Sequence, residues 1–127
     1  MKEYLVWLEK ARDDLNWTKA NLREEIYYGA CFTAQQAAEK TLKAFLLLKN
    51  GRFDKVHDLV KLLDDCILHQ KDFGKFREVV AKLSFYYTQS RYPDISEVDK
   101  FTKEEAEEAL EVAEKLVEFV SSEIKDF

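Results

Sequence analysis

The sequence predicts an all-α protein, an antiparallel up-and-down four-helix bundle with one extra shorter helix, occupying residues 1–127 as one domain. Three observations carry this. The chain holds only three Gly and one Pro in 127 residues, too few turn formers for a sandwich or barrel. It is rich in Leu, Ala, Glu and Lys, the strong helix formers. Apolar residues return at spacings of three and four along five separate stretches, and such stripes are buried most economically by packing against one another.

The first helix is expected over about residues 3 to 24, where Tyr4, Leu8, Ala11, Leu15, Thr18 and Leu22 form one face, with Trp7 and Trp17 widening it. Glu25-Ile26-Tyr27-Tyr28-Gly29 interrupts the pattern and predicts a chain reversal. A central helix is expected from about Ala30 to Lys49, its face carrying Ala30, Ala34, Ala37, Ala38, Leu42, Phe45 and Leu46; the four alanines admit a neighbouring backbone closely. Asn50-Gly51 supplies a left-handed stop.

A shorter helix is predicted from about His57 to His69 on Leu59, Leu62, Leu63 and Cys66, and a fourth from about Phe73 to Gln89 on Phe76, Val79, Val80, Leu83 and Tyr87. Pro93 ends the fourth helix by biasing Tyr92 out of the α region. Thr102 and Glu105 form a capping-box pattern, after which Ala106, Leu110, Ala113, Val117, Val120 and Ile124 mark a long last helix with an acidic outer face. No internal repeat or low-complexity stretch is present.

Composition narrows function. A formal net charge of -5 argues against a generic basic coat for duplex DNA, whose non-specific affinity comes from neutralising phosphates. No run approaches a membrane span or a secretory leader, so the chain reads as cytoplasmic. Cys31 and Cys66 have neither partner spacing for a disulfide framework nor the pattern of a zinc site, and read as packing residues. Phosphate-loop, dinucleotide, serine-hydrolase and zincin motifs are missing, as is the Glu-x-x-His of di-iron bundles; no metal or cofactor is expected.

The charge map points to one place. Residues 40 to 61 carry Lys40, Lys43, Lys49, Arg52, Lys55 and Lys61 against Asp54 and Asp58, an excess of four positive charges in an acidic chain. A phosphate-bearing partner fits such a patch, as does a plain solubilising surface. His57 lies five residues after Arg52, so a proton-transfer group and a phosphate-holding cation share one segment, the two abilities that metal-free RNA cleavage needs. A structural contact at the start of a helix explains His57 equally well. Arg91 is a second candidate phosphate contact, with capping of the fourth helix as the plain alternative.

Four stretches in order resemble one family: Ala11-x-x-Asp14-Leu15, Gln35-Gln36-Ala37-Ala38-Glu39-Lys40-x-x-Lys43-Ala44, His57-Asp58-Leu59 and Arg91-Tyr92-Pro93. Together they make the chain similar, over essentially its whole length, to the HEPN domains (higher eukaryotes and prokaryotes nucleotide-binding). The resemblance implies a homodimeric helical bundle that binds a nucleotide or RNA, and the charge map makes Lys43, Lys55 and Arg91 the candidate binding residues for it. It also implies one component of a two-protein, toxin–antitoxin type module whose other component is a minimal nucleotidyltransferase. One branch of that family consists of metal-independent ribonucleases bearing Arg, four to six residues, then His; Arg52 and His57 match this spacing as a catalytic pair, with Phe53 where active members usually carry a polar residue. A purely structural dimeric interaction module is the third reading.

Overall fold

The computed structural model describes residues 2–91 and 101–124, with side chains described up to residue 85 and again from residue 101. Its helices are α1 (Glu3–Arg23), α2 (Tyr27–Asn50), α3 (Leu59–His69), α4 (Arg77–Arg91) and α5 (Lys103–Glu123), with a 3₁₀ segment at Lys71–Phe76. The fold is the expected all-α bundle, and no strand occurs among the described residues.

The centre is α2, which packs against every other α-helix. Its Ala30, Ala34, Ala37 and Ala38 are fully buried and let α1 lie close, so Leu8 and Ala11 are sealed from solvent as well. Two polar links cross this seam. Lys40 Nζ lies 2.6 Å from Asp14 Oδ2, and the hydroxyls of Thr18 and Thr33 are 2.7 Å apart. At the far side of the core, Phe73 stands edge-on to Phe45 (ring centroids 4.6 Å) and to Phe119 (4.8 Å), joining the 3₁₀ segment to α2 and α5.

Local chemistry sets the helix ends. Gly51 takes φ 74° and its N–H donates to the Leu47 carbonyl, the expected left-handed cap on α2. Thr102 and Glu105 form the reciprocal capping box that starts α5. Cys31 and Cys66 are buried, the latter donating from Sγ towards the Leu42 carbonyl at 3.7 Å.

Several expectations are corrected. Helix α2 begins at Tyr27, not Ala30, because the reversal is made by Glu25 alone in the left-handed region (φ 60°) and the Ala30 N–H already closes a helical turn on the Ile26 carbonyl. Gly29 is thus a packing residue within the helix: a Cβ there would stand 2.9 Å from Asn21 Oδ1 of α1. His57 does not open α3; Asp58 is the cap, its carboxylate accepting from the Lys61 N–H, and the helix starts after it.

The expected fourth helix is split at Phe76, because Gln70 caps the preceding residues as a 3₁₀ turn that buries Phe73 and Phe76. Trp17, expected to widen the core stripe, is 65% exposed, since it sits two residues and about 200° round the helix from Leu15. The side chain of Tyr87 and the segment around Pro93 lie outside the described residues.

Candidate functional site

The site grows from the last turns of α2 and the loop that leaves it. Gly51 turns the chain, and Phe53 and Val56 tuck half-buried against the core, so the loop is anchored at two points. Phe53 meets Trp7 of α1 edge-on, with ring centroids 5.1 Å apart. Arg52 and Lys55 flank these anchors and are exposed. Asp54 turns back to Lys61 at 3.0 Å, and Asp65 joins that pair at 3.3 Å; hydrogen bonds from Lys61 to these two carboxylates raise its ammonium above the ordinary pKa.

Beneath the loop lies a buried polar group. Glu39, 4% exposed, accepts from Lys43 Nζ at 2.8 Å, and Lys43 itself is 5% exposed. His57 comes down from the loop to place Nδ1 3.1 Å from Glu39 Oε2 and 3.3 Å from Oε1. Gln35 Nε2 reaches the same carboxylate at 3.4 Å, and Gln36 Nε2 donates to Gln35 Oε1 at 2.9 Å. The glutamine-led stretch of α2 is therefore one hydrogen-bonded chain ending on Glu39. The Lys43 ammonium also faces the rings of Phe53 (5.1 Å to the centroid) and Trp7 (5.7 Å), so its charge is met by a carboxylate on one side and π faces on the other.

The basic excess of residues 40 to 61 is largely taken up internally. Lys40 pairs with Asp14, Lys43 with Glu39, and Lys61 with Asp54 and Asp65. Among the described residues, Lys49, Arg52 and Lys55 form no ion pair with a carboxylate. The structure thus brings Arg52, Lys55 and His57 to one loop and puts Lys43 underneath it. Arg91 closes α4, and its side chain lies outside the described residues. Sequence reasoning missed Glu39 as the hub; the available signal was its spacing of four from Lys43 on a helix whose neighbouring positions, Ala38 and Leu42, are core.

A surface loop with paired anchors, two exposed cations and an imidazole held from below suits a phosphate-bearing ligand and proton exchange with it. Among the described residues no group of three or more His, Cys, Asp or Glu is placed to hold a metal ion, and no helix is long and apolar enough to cross a membrane.

Comparison with known proteins gives a consistent picture. A sequence-family model described as HEPN domain matches residues 4–124. A protein of Methanocaldococcus jannaschii named "Putative toxin MJ1304" is 26% identical over 134 residues, covering 95% of this chain and 88% of that protein. The crystal structure of TT1696 from Thermus thermophilus superposes with a TM-score of 0.85 at 35% identity, covering 98% of this chain and 100% of that one. The crystal structure of ST0689, described as an archaeal HEPN homologue, superposes with a TM-score of 0.80 at 26% identity, covering 98% and 99%.

Proposed function

The chain belongs to the HEPN domain family, and from that premise we propose that it binds the phosphate groups of a nucleotide or RNA strand on the loop between α2 and α3. In this reading it is one component of a cytoplasmic two-protein module of the toxin–antitoxin type, with a minimal nucleotidyltransferase as the other, and it acts as a homodimer. The observation that carries the binding role is the pair Arg52 and Lys55, exposed on an anchored loop and without a carboxylate partner among the described residues. Cations left over after internal pairing are the ones available to a polyanion. Lys43 supports the loop from beneath through Glu39, and Arg91 supplies a further cation at the end of α4. Likeness to a protein named as a toxin supports the toxin-type assignment.

Titration of short single-stranded RNA, or of a nucleoside triphosphate, into the ¹⁵N-labelled chain tests this reading. Amide shifts should concentrate in residues 51–58; shifts clustered elsewhere, or none at millimolar ligand, would reject it.

A second reading is metal-independent RNA cleavage, with Arg52 stabilising charge on the phosphate and His57 as general acid or base. It is favoured by the His57 side chain being 65% exposed and held at Nδ1 by the Glu39 carboxylate, which orients the ring beside Arg52 on the same loop.

A further inference from the structure

Hydrogen bonds do not fix the shape of the α2–α3 loop. Among the described residues, positions 52–56 contribute one backbone–backbone hydrogen bond, from the Val56 N–H to the Asp54 carbonyl at 2.9 Å. The ion pair of Asp54 with Lys61 is exposed on both sides, where such pairs contribute little. The His57 contact to Glu39 and the Asp58 cap lie beyond Val56 and secure only the end of the loop. Order across the middle therefore comes from two half-buried side chains, Phe53 and Val56. Arg52 lies between the Gly51 cap and Phe53, and Lys55 between Phe53 and Val56. Phe53 is the anchor shared by both exposed cations.

More than burial holds this ring. The Lys43 ammonium lies 5.1 Å from the centroid of Phe53 and 5.7 Å from that of Trp7, and the two rings meet edge-on at 5.1 Å and 79°. A surface lysine would be a loose partner for an aromatic ring, because water solvates the ammonium and the stem swings. Lys43 is only 5% exposed, and Glu39 fixes its ammonium at 2.8 Å. Attraction between a cation and an aromatic face grows as the cation loses water. The Phe53 ring is thus located from two directions, by a fixed charge of α2 and by an indole of α1. An aliphatic side chain of like bulk would fill the space but lose the attraction to the charge and the edge-on ring contact. Buried ion pairs seldom improve on apolar residues of like size for stability. A fixed ammonium beneath the loop gives its aromatic anchor something directional to grip.

We propose that Phe53 is a positioning residue: clasped between the Lys43 ammonium and the Trp7 indole, it sets the loop in advance, so that Arg52 and Lys55 are presented together to a phosphate-bearing ligand. Its ring touches no phosphate. The gain is preorganisation, since the backbone carrying the two cations is ordered on folding and not at the moment of binding. This role rests on the reading of the loop as the ligand site.

The test compares the natural chain with Phe53→Leu, which keeps apolar bulk without the ring, and Phe53→Tyr, which keeps the ring. Without ligand, the heteronuclear ¹H–¹⁵N NOEs of residues 52–56 should match those of the helices in the natural chain and in Phe53→Tyr. In Phe53→Leu they should fall well below, with helical circular dichroism unchanged. With a single-stranded oligouridine as probe, Phe53→Leu should bind about tenfold more weakly, the scale of ordering two side chains on binding. Phe53→Tyr should bind as the natural chain does. The slope of log affinity against log salt should be the same in all three, because the same phosphates are met once the complex has formed. Low loop NOEs in the natural chain, or NOEs unmoved in Phe53→Leu, overturn the proposal. So does an unchanged affinity in Phe53→Leu, or a shallower slope. Should Phe53→Leu not fold, Glu39→Met/Lys43→Met removes the ammonium together with its counter-charge; it should loosen the same residues, and unmoved NOEs there overturn the proposal equally. Failure of the ligand-site reading looks different: the oligouridine then does not bind the natural chain, and the NOEs alone decide whether Phe53 sets the loop.

Discussion

Lys43 sits one helical turn after Glu39 and presses its ammonium to within 2.8 Å of the Glu39 carboxylate, with both side chains nearly closed to solvent. A cation that reads as surface charge in the sequence is therefore internal. Its removal should be costly in an asymmetric way. Lys43→Ala leaves the Glu39 carboxylate buried without its main counter-charge, and urea denaturation should show a loss of about 3–5 kcal/mol. Replacing both residues by Met should cost far less. Equal losses in the single and double variants would show that packing volume, and not the stranded charge, sets the cost.

The two thiols give a pH signature. Burial first, and the nearby Glu105 carboxylate second, push the Cys31 thiol up to about 12; burial and then Asp65 raise Cys66 as well. An unfolded chain ionises its thiols near pH 8.5. Between that value and the raised folded pKa, the native state holds protons that the unfolded state has released, so stability is fully present below about pH 8.5 and falls as pH rises towards 12. Urea midpoints measured from pH 8 upward should fall more steeply in the natural chain than in Cys31→Ala/Cys66→Ala. Iodoacetamide at neutral pH should label neither thiol until denaturant is added, because the thiolate is the reactive form. Rapid native labelling would contradict the burial.

If the loop cleaves RNA, the reaction should persist in EDTA. His57→Ala should slow it by about 100-fold or more by removing proton transfer. Arg52→Ala should slow it by a similar factor through lost charge stabilisation. Circular dichroism should show the helices intact in both. Activity that survives both substitutions returns these residues to binding.

Light scattering at micromolar concentration should return twice the chain mass of 15.0 kDa. Trp17, Tyr28, Leu68 and Phe85 remain exposed after the bundle has formed, an apolar surplus of the kind that interfaces use. A clean monomer mass would remove the dimer.

Local signals made most of the fold legible. Periodicity located the helices, Asn50-Gly51 gave the end of α2, and Thr102 with Glu105 gave the start of α5. Asp58 carried an equally local cap signal that places His57 outside α3. The start of α2 was hidden because its turn rests on a non-glycine residue, Glu25, at positive φ, while Gly29, the apparent breaker, serves helix packing against Asn21. For the site, the segment holding Arg52, Lys55 and His57 could be read from charge and spacing. Which cations were already committed could not, since Lys40 answers to Asp14 and His57 to Glu39 across 26 and 18 residues of sequence. Those pairings exist only once α1, α2 and the loop are packed.

Phosphate capture by Arg52 and Lys55 is the central claim, and the affinity of a single-stranded RNA against salt concentration tests it most directly, for the natural chain and for Arg52→Glu/Lys55→Glu. Each phosphate contact on a single strand contributes roughly -0.7 to the slope of log affinity against log salt. The double variant should bind more weakly, with a slope shallower by about 1.4, the share of two lost contacts. Unchanged affinity with an unchanged slope would contradict the claim.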